Sequence, residues 1–151
     1  MGNSVKWMRE ALKEAHKAKM LDEVPVGAVV VFNNEIIAKA HNLKESSQIS
    51  TKHAEIIAIE KANEKLKSWR LNECELYVTM EPCLMCVGAI IQARIKKVVY
   101  GCKDLKFGAI ESVISAFDNK AWNHHPEIEK NVLAEECSNI VKDFFYQKRN
   151  K

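Results

Sequence analysis

His53-Ala54-Glu55 is followed further along the chain by Pro82-Cys83-Leu84-Met85-Cys86, and these two motifs together indicate the chemistry of the sequence. One imidazole and two thiolates can hold a zinc ion and leave its fourth tetrahedral position free for water, whereas a structural zinc is closed by a fourth protein ligand. The Glu55 carboxylate can carry protons to and from that water. The pattern therefore predicts a catalytic zinc site with His53, Cys83 and Cys86 as ligands and Glu55 as the catalytic acid/base.

The spacing within each motif predicts where these residues lie. Cys83 and Cys86 are three apart, so in a helix they share a face, and Pro82 suits the first helical position. His53 and Glu55 are two apart and would point to nearly opposite sides in the middle of a helix. They can converge on one ion only if His53 lies at the very start of its helix. The sequence thus predicts two helix N-termini directed at one zinc ion, where the helix dipoles favour thiolates.

Two other interpretations of Cys83-x-x-Cys86 are a redox pair and one half of a structural zinc site. In the second case Cys74 or Cys102 would complete the ligand set. The presence of His53, Glu55 and Pro82 favours the catalytic interpretation, because H-x-E…P-C-x-x-C is the signature of zinc-dependent nucleobase deaminases. Cys74, Cys102 and Cys137 are then predicted to be small core residues.

Composition limits the remaining possibilities. The chain has 151 residues, of which 47% are hydrophobic, which is enough for one well-buried domain. Together with the zinc motif, this predicts that residues 1–151 form a single zinc-dependent nucleobase deaminase domain. No apolar run is long enough to span a membrane, and the first residues do not resemble a secretory signal. Five cysteines, an odd number, indicate reduced thiols and a cytoplasmic location. The net charge of +3 is too small to identify a partner by itself.

Hydrophobic periodicity and turn residues predict strands that alternate with helices. The expected strands are 26–32, 35–40, 74–79 and 95–101, and Asn33-Asn34 is expected to form a tight hairpin turn. Helices are expected from Ser4 as a cap, over 53–66 and 82–93, as a short element over 109–117, and over 133–148. This alternation predicts an α/β fold with three layers, in which helices cover both faces of a mixed central sheet of about five strands.

Further motifs carry a resemblance that covers nearly the whole chain. The sequence resembles the bacterial tRNA-specific adenosine deaminases, within the superfamily of cytidine and deoxycytidylate deaminases. The motifs that carry it are 23–28 (EVPVGA), 40–42 (AHN), 79–89 (TMEPCLMCVGA), 94–95 (RI), 98–101 (VVYG), 104–109 (DLKFGA), 123–124 (NH), 144–145 (FF) and Arg149. The chain departs from the family's usual pattern of small residues at Ile110 and Glu111.

The resemblance implies a cytidine-deaminase-like fold, one Zn²⁺ per subunit and a homodimer. It implies hydrolytic deamination of adenosine to inosine at the wobble position of a tRNA anticodon, with arginine tRNA as the expected substrate. It also implies a set of substrate-binding residues: Val26, Asn42, Ala54, Asp104, Lys106, Asn123, His124, Phe145 and Arg149. The alternative function is that of a small-molecule deaminase acting on guanine or on a cytosine-type nucleoside.

Overall fold

A five-stranded sheet lies at the centre of the computed structural model, which describes residues 2–150. Its strands are β1 (Gly27–Phe32), β2 (Glu35–His41), β3 (Glu75–Met80), β4 (Lys97–Cys102) and β5 (Glu127–Glu129), arranged in the order β2-β1-β3-β4-β5. Strand β1 is antiparallel to β2 and β3, whereas the β3–β4 and β4–β5 pairs are parallel. The predicted α/β fold with a mixed sheet is confirmed.

Helices cover both faces of this sheet. The helices α3 (Ala54–Leu66) and α4 (Leu84–Ala93) pack on one face, and α1 (Gly2–Met20) and α5 (Ala134–Arg149) pack on the other. The position of β1 inside the sheet, between the two helical layers, explains why its sequence is continuously apolar. Ala28 and Val30 contribute to the core under α3 and α4, and Val29 and Val31 contribute to the core under α1 and α5. Alternate side chains of a central strand enter opposite cores, so all of them must be apolar.

The hairpin between β1 and β2 closes as the sequence predicts. Asn33 and Asn34 have φ angles of 51° and 61°. A two-residue hairpin turn with positive φ at both positions matches the right-handed twist of the strands, and asparagine tolerates this conformation.

The helix expected over 109–117 is wrong. The chain forms turns there, followed by one 3₁₀ turn at Ala116–Asp118. The reason is that the backbone N–H groups of Ile110, Glu111 and Ser112 donate to the side chain of Glu81 and not to carbonyl oxygens one turn earlier.

Three smaller differences concern helix ends and short elements. Helix α1 already includes Ser4, whose hydroxyl donates to the Glu129 carboxylate at 2.8 Å instead of capping the helix. Helix α4 begins at Leu84, so Pro82 precedes the N-cap residue Cys83 and does not occupy the first helical position. The short helix α2 (Lys44–Ser47) and the strand β5 are elements that the sequence pattern does not predict. None of the helices within residues 2–150 is long and apolar enough to cross a membrane.

Candidate metal centre and substrate pocket

The candidate site lies where the parallel strands β3 and β4 end and the helices α3 and α4 begin. His53 is the N-cap residue of α3 and Cys83 is the N-cap residue of α4. Neither side chain makes a capping hydrogen bond to its own helix, so both are free to point to a common centre. Ligands of α/β proteins commonly bind at the carboxyl ends of the strands.

Three potential metal ligands meet at this point. The Nδ1 atom of His53 lies 3.6 Å from the Sγ atom of Cys83 and 3.6 Å from the Sγ atom of Cys86. All three ligand atoms lie within 4.8 Å of one another. Tetrahedral zinc, with Zn–N near 2.05 Å and Zn–S near 2.3 Å, places nitrogen and sulfur about 3.6 Å apart. The observed spacing therefore fits zinc, and the three residues form a group able to hold a metal ion.

The electrostatics of the cluster favour a cation. The hydrogen bond from Cys86 and the neighbouring His53 lower the pKa of Cys83 to about 4, despite partial burial. The pKa of Cys86 is raised because this thiol donates to Cys83 and is buried. The pKa of His53 is raised, chiefly by its hydrogen bond with Cys83. A bound divalent cation releases the protons of its ligands, so it would replace this shared proton and hold both sulfurs as thiolates.

Glu55 occupies the first turn of α3 and is buried beside the cluster. The residue is 4% exposed and lies beside Cys86. Burial raises the pKa of Glu55 to about 7, against the opposing influence of its backbone hydrogen bond and of His53. A carboxyl group with a pKa near neutrality can both accept and return a proton at physiological pH. The arrangement thus combines three metal ligands with a buried group suited to proton transfer.

An open cleft of about 570 Å³ leads from the protein surface to this cluster. Six of the predicted substrate-binding residues line it, namely Val26, Asn42, Ala54, Asp104, Lys106 and Phe145. Five residues to which the sequence assigned no role also line it: Val24, Lys44, Met80, Glu81 and Phe107. All of them except Lys44 were within reach of sequence reasoning, because each lies inside a motif that carries the resemblance.

Asn42 is the most informative polar group in the cleft. The residue is 8% exposed, and its Oδ1 atom is buried without a hydrogen-bond partner within residues 2–150. Its backbone N–H donates to the Val26 carbonyl oxygen at 3.1 Å, which fixes the residue beside β1. An unpaired buried acceptor is costly, about 1–3 kcal/mol. Such a group at the wall of a cleft is suited to receive a hydrogen bond from a ligand.

Carboxylates that accept backbone hydrogen bonds hold both walls of the cleft. On one wall, Glu23 is fully buried and accepts hydrogen bonds from the backbone N–H groups of Glu45 (3.0 Å) and Ser46 in α2, the helix that begins with Lys44. On the other wall, the Asp104 carboxylate accepts from the backbone N–H groups of Lys106 and Phe107, both at 3.1 Å. Asp104 therefore shapes the turn that presents Lys106 and Phe107.

Three predicted substrate-binding residues do not line this cleft. His124 lies against the carbonyl oxygen of Ile95 at 2.6 Å, at the amino end of β4, and Asn123 is next to it. The metal cluster lies near the carboxyl end of the same strand. The segment after β4 returns to the amino end of β4 because β5 is parallel to β4 and must begin at that end. Arg149 is exposed at the end of α5, beyond Phe145.

Comparisons with known proteins agree with this geometry. Residues 2–149 match the family model of the MafB19-like deaminases. The chain is 46% identical to the tRNA-specific adenosine deaminase of Bacillus subtilis (strain 168) over 145 residues, which are 96% of this chain and 90% of the relative. It is also 46% identical to the tRNA-specific adenosine deaminase of Haemophilus influenzae over 147 residues, 97% of this chain and 85% of the relative. A solved structure from a study of A-to-I editing by tRNA:A34 deaminases at the wobble position superimposes with a TM-score of 0.87 and 41% identity, covering 89% of this chain and 98% of that chain.

Proposed function

This chain belongs to the family of the tRNA-specific adenosine deaminases, and we propose that it converts adenosine to inosine by hydrolysis at the wobble position of a tRNA anticodon, with arginine tRNA as the expected substrate. The observation that carries the proposal is the buried Glu55 carboxylate beside three metal ligands at the bottom of an open cleft. A catalytic zinc site needs this combination of three protein ligands, an accessible side and a proton carrier.

His53, Cys83 and Cys86 are the residues that would hold the zinc ion. A zinc ion held there supplies Lewis-acid chemistry that activates water as a nucleophile at neutral pH. Glu55 accepts the proton of the attacking water and delivers it to N1 of the adenine ring as the C–O bond forms at C6. Glu55 then takes the proton of the new C6 hydroxyl and passes it to the exocyclic amine, so that the C6 carbonyl forms, the C–N bond breaks and ammonia leaves. Water and adenosine are consumed, and inosine and ammonia are produced.

The cleft also offers groups that suit an RNA loop. Phe145 on α5 and Phe107 in the segment after β4 are 42% and 69% exposed, and both line the cleft. Exposed aromatic rings can stack on the splayed bases of single-stranded RNA, and Lys44 and Lys106 add positive charge near the phosphates. An enzyme for a free base would not need these groups at the mouth, so they favour RNA over the small-molecule alternative.

The direct test presents the zinc-loaded protein with an anticodon stem-loop containing a wobble adenosine and, separately, with guanine and cytidine. We expect inosine in the RNA, detected by sequencing as a change from A to G. A stem-loop with guanosine at the wobble position is the matched control. Ammonia release from a free base, together with unchanged RNA, would overturn the proposal in favour of a small-molecule deaminase.

Asn42 provides a prediction in which activity and stability change independently. We expect Asn42→Leu to lower kcat/KM for the stem-loop about 10- to 100-fold, because the side chain no longer hydrogen-bonds the bound nucleotide. The free energy of unfolding should be unchanged or should rise, because the substitution removes a buried acceptor that has no partner in the free protein. Denaturant unfolding and steady-state kinetics measure the two effects. A stability loss of several kcal/mol with normal kcat/KM would show that Asn42 serves the fold.

We also propose that the protein acts as a homodimer in the cytoplasm. Leu84, Val113 and Ile114 are apolar side chains that are 61%, 55% and 44% exposed. A hydrogen bond of 2.9 Å between the Ala109 N–H and the Pro82 carbonyl oxygen brings the two segments that carry them together. Exposed apolar groups that lie together often become buried in a partner subunit.

The free state of the cysteines supports the cytoplasmic location, because the cytoplasm is a reducing compartment.

The dimer is tested by placing a charge among these side chains. Val113→Glu is expected to shift the protein from dimer to monomer in light scattering coupled to gel filtration, because burying an unpaired carboxylate is costly. Ile49→Glu, at a similarly exposed apolar position (46%), is the control and should leave the mass unchanged. A wild-type protein that elutes as a monomer at all concentrations would contradict the proposal.

A further inference from the structure

Glu81 is a buried carboxylate with an unusual number of hydrogen-bond donors. It follows β3 directly and is 3% exposed. Its Oε2 atom accepts from the backbone N–H groups of Ile110 (3.0 Å), Glu111 (2.8 Å) and Ser112 (3.0 Å). Its Oε1 atom accepts from the backbone N–H of Asp104 at 3.1 Å and from the Ser112 hydroxyl. All five donors belong to one segment, residues 104–112.

This segment, which we call the 104–112 wall, forms one side of the substrate cleft. Asp104, Lys106 and Phe107 from this wall line the cleft. The wall contains neither helix nor strand, so its backbone N–H groups lack the regular partners that would otherwise fix its conformation. Gly108 lies against the same carboxylate so closely that a Cβ atom there would overlap it. The Glu81 side chain is therefore enclosed by the wall that it holds.

The energetic argument indicates that this contact determines the shape of the wall. A buried carboxylate is tolerated only when its oxygens are satisfied, and charge-assisted hydrogen bonds are roughly twice as strong as neutral ones. Releasing the wall would leave the Glu81 charge buried without its donors. The conformation seen here is thus strongly preferred over alternatives in which the wall moves away. A site held in its productive shape before binding loses less free energy on binding.

We propose that Glu81 is a positioning residue, whose carboxylate fixes the 104–112 wall in the shape that receives the RNA. It acts through Lys106 and Phe107 and not on the reacting atoms. This inference rests on the proposed function for its kinetic consequence. Its structural part, that the wall depends on this carboxylate, is independent of the substrate.

Glu81→Gln tests the proposal in the zinc-loaded protein. The amide has one acceptor oxygen, so either orientation removes acceptors from the five donors and turns an NH₂ group towards backbone N–H groups. We expect hydrogen exchange at Ile110, Glu111 and Ser112 to accelerate at least about tenfold, because their partner is weakened. The KM for the stem-loop should rise about tenfold or more, with kcat changed less than about threefold, because misplacement of binding groups weakens binding. Zinc content, measured by elemental analysis, should stay at the wild-type value.

Two further variants keep the test decisive if Glu81→Gln folds poorly. Ser112→Ala removes one donor to the same carboxylate and should shift exchange and KM in the same direction by a smaller factor, about threefold. Glu75→Gln is the matched control. Glu75 lies at the other end of β3 and accepts the Tyr77 hydroxyl at 2.6 Å, so this variant should leave exchange in the wall and KM unchanged.

Each outcome decides between distinct roles. Unchanged exchange in the 104–112 wall would overturn the positioning role, whether or not the wild type edits RNA. Faster exchange with an unchanged KM would also overturn it, since the wall would then not serve binding. Loss of zinc and of kcat at constant KM would assign Glu81 to the support of the metal ligands instead. If the wild type leaves the stem-loop unedited, the proposed function is wrong. The hydrogen-exchange rates of the wall then still test whether Glu81 fixes its conformation.

Discussion

A Glu55→Gln protein is expected to bind zinc as the wild type does and to lose about 10³-fold in kcat, within the range attributed to general acid–base catalysis. Glutamine preserves the size of the side chain and its place in the first turn of α3, next to Cys86. It cannot accept the proton of water or pass it to the leaving amine. The three metal ligands are untouched, so metal binding and catalysis should separate in this variant. Single-turnover editing of the stem-loop and elemental analysis measure the two properties.

The matched control for this prediction is Glu60→Gln. Glu60 lies on the same helix, but it is exposed and its carboxylate pairs with Lys52 at 3.4 Å. An exposed ion pair of this kind contributes little to stability, so the control should edit RNA at nearly the wild-type rate. Near-normal kcat in Glu55→Gln would remove Glu55 from the mechanism. Loss of zinc from this variant would instead show that the carboxylate supports the metal cluster.

The placement of the potential metal ligands at two helix starts could be predicted from the sequence because it follows from helix geometry. A His-x-Glu pair can serve one ion only at a helix start, and His53 is indeed the N-cap residue of α3. The Cys83-x-x-Cys86 pair requires the first turn of a helix in the same way, although α4 begins two residues later than Pro82. Local rules sufficed here because each pair lies within a single turn of chain.

The 104–112 wall could not be predicted, because its conformation depends on a contact between distant residues. Alanine, isoleucine and glutamate at positions 109–111 favour a helix locally. The backbone N–H groups of Ile110 and Glu111 are nevertheless taken by Glu81, about thirty positions earlier, and that of Ala109 is taken by the Pro82 carbonyl oxygen. The position of His124 has a similar cause. Because β5 is parallel to β4, the segment before β5, which contains His124, lies at the amino ends of these strands. The strand β5 itself is too short to give a periodic signal in the sequence. Likewise, the missing partner of the Asn42 Oδ1 atom becomes visible only when the surrounding residues are in place.

The second large effect is expected for Cys86→Ser. Cys86 is fully buried at the start of α4, and its sulfur lies 3.6 Å from the His53 Nδ1 atom. Serine is a poorer zinc ligand than a thiolate, since a hydroxyl is deprotonated with far more difficulty and is a harder donor. With two good ligands left, the site should lose most of its zinc after dialysis against a chelator. Editing activity should fall at least about 10³-fold, because water is no longer activated at neutral pH.

The control for Cys86→Ser must separate loss of a ligand from the cost of burying a hydroxyl. Cys74→Ser and Cys137→Ser place serine at two other fully buried cysteines, outside the cluster of potential metal ligands. All three variants should lose some stability, but only Cys86→Ser should lose zinc and activity. Metal binding also contributes to the free energy of folding. Adding a chelator should therefore lower the melting temperature of Cys74→Ser and Cys137→Ser and leave that of Cys86→Ser nearly unchanged. Equal zinc content and equal activity in all three variants would show that the buried thiol at position 86 is only a core residue.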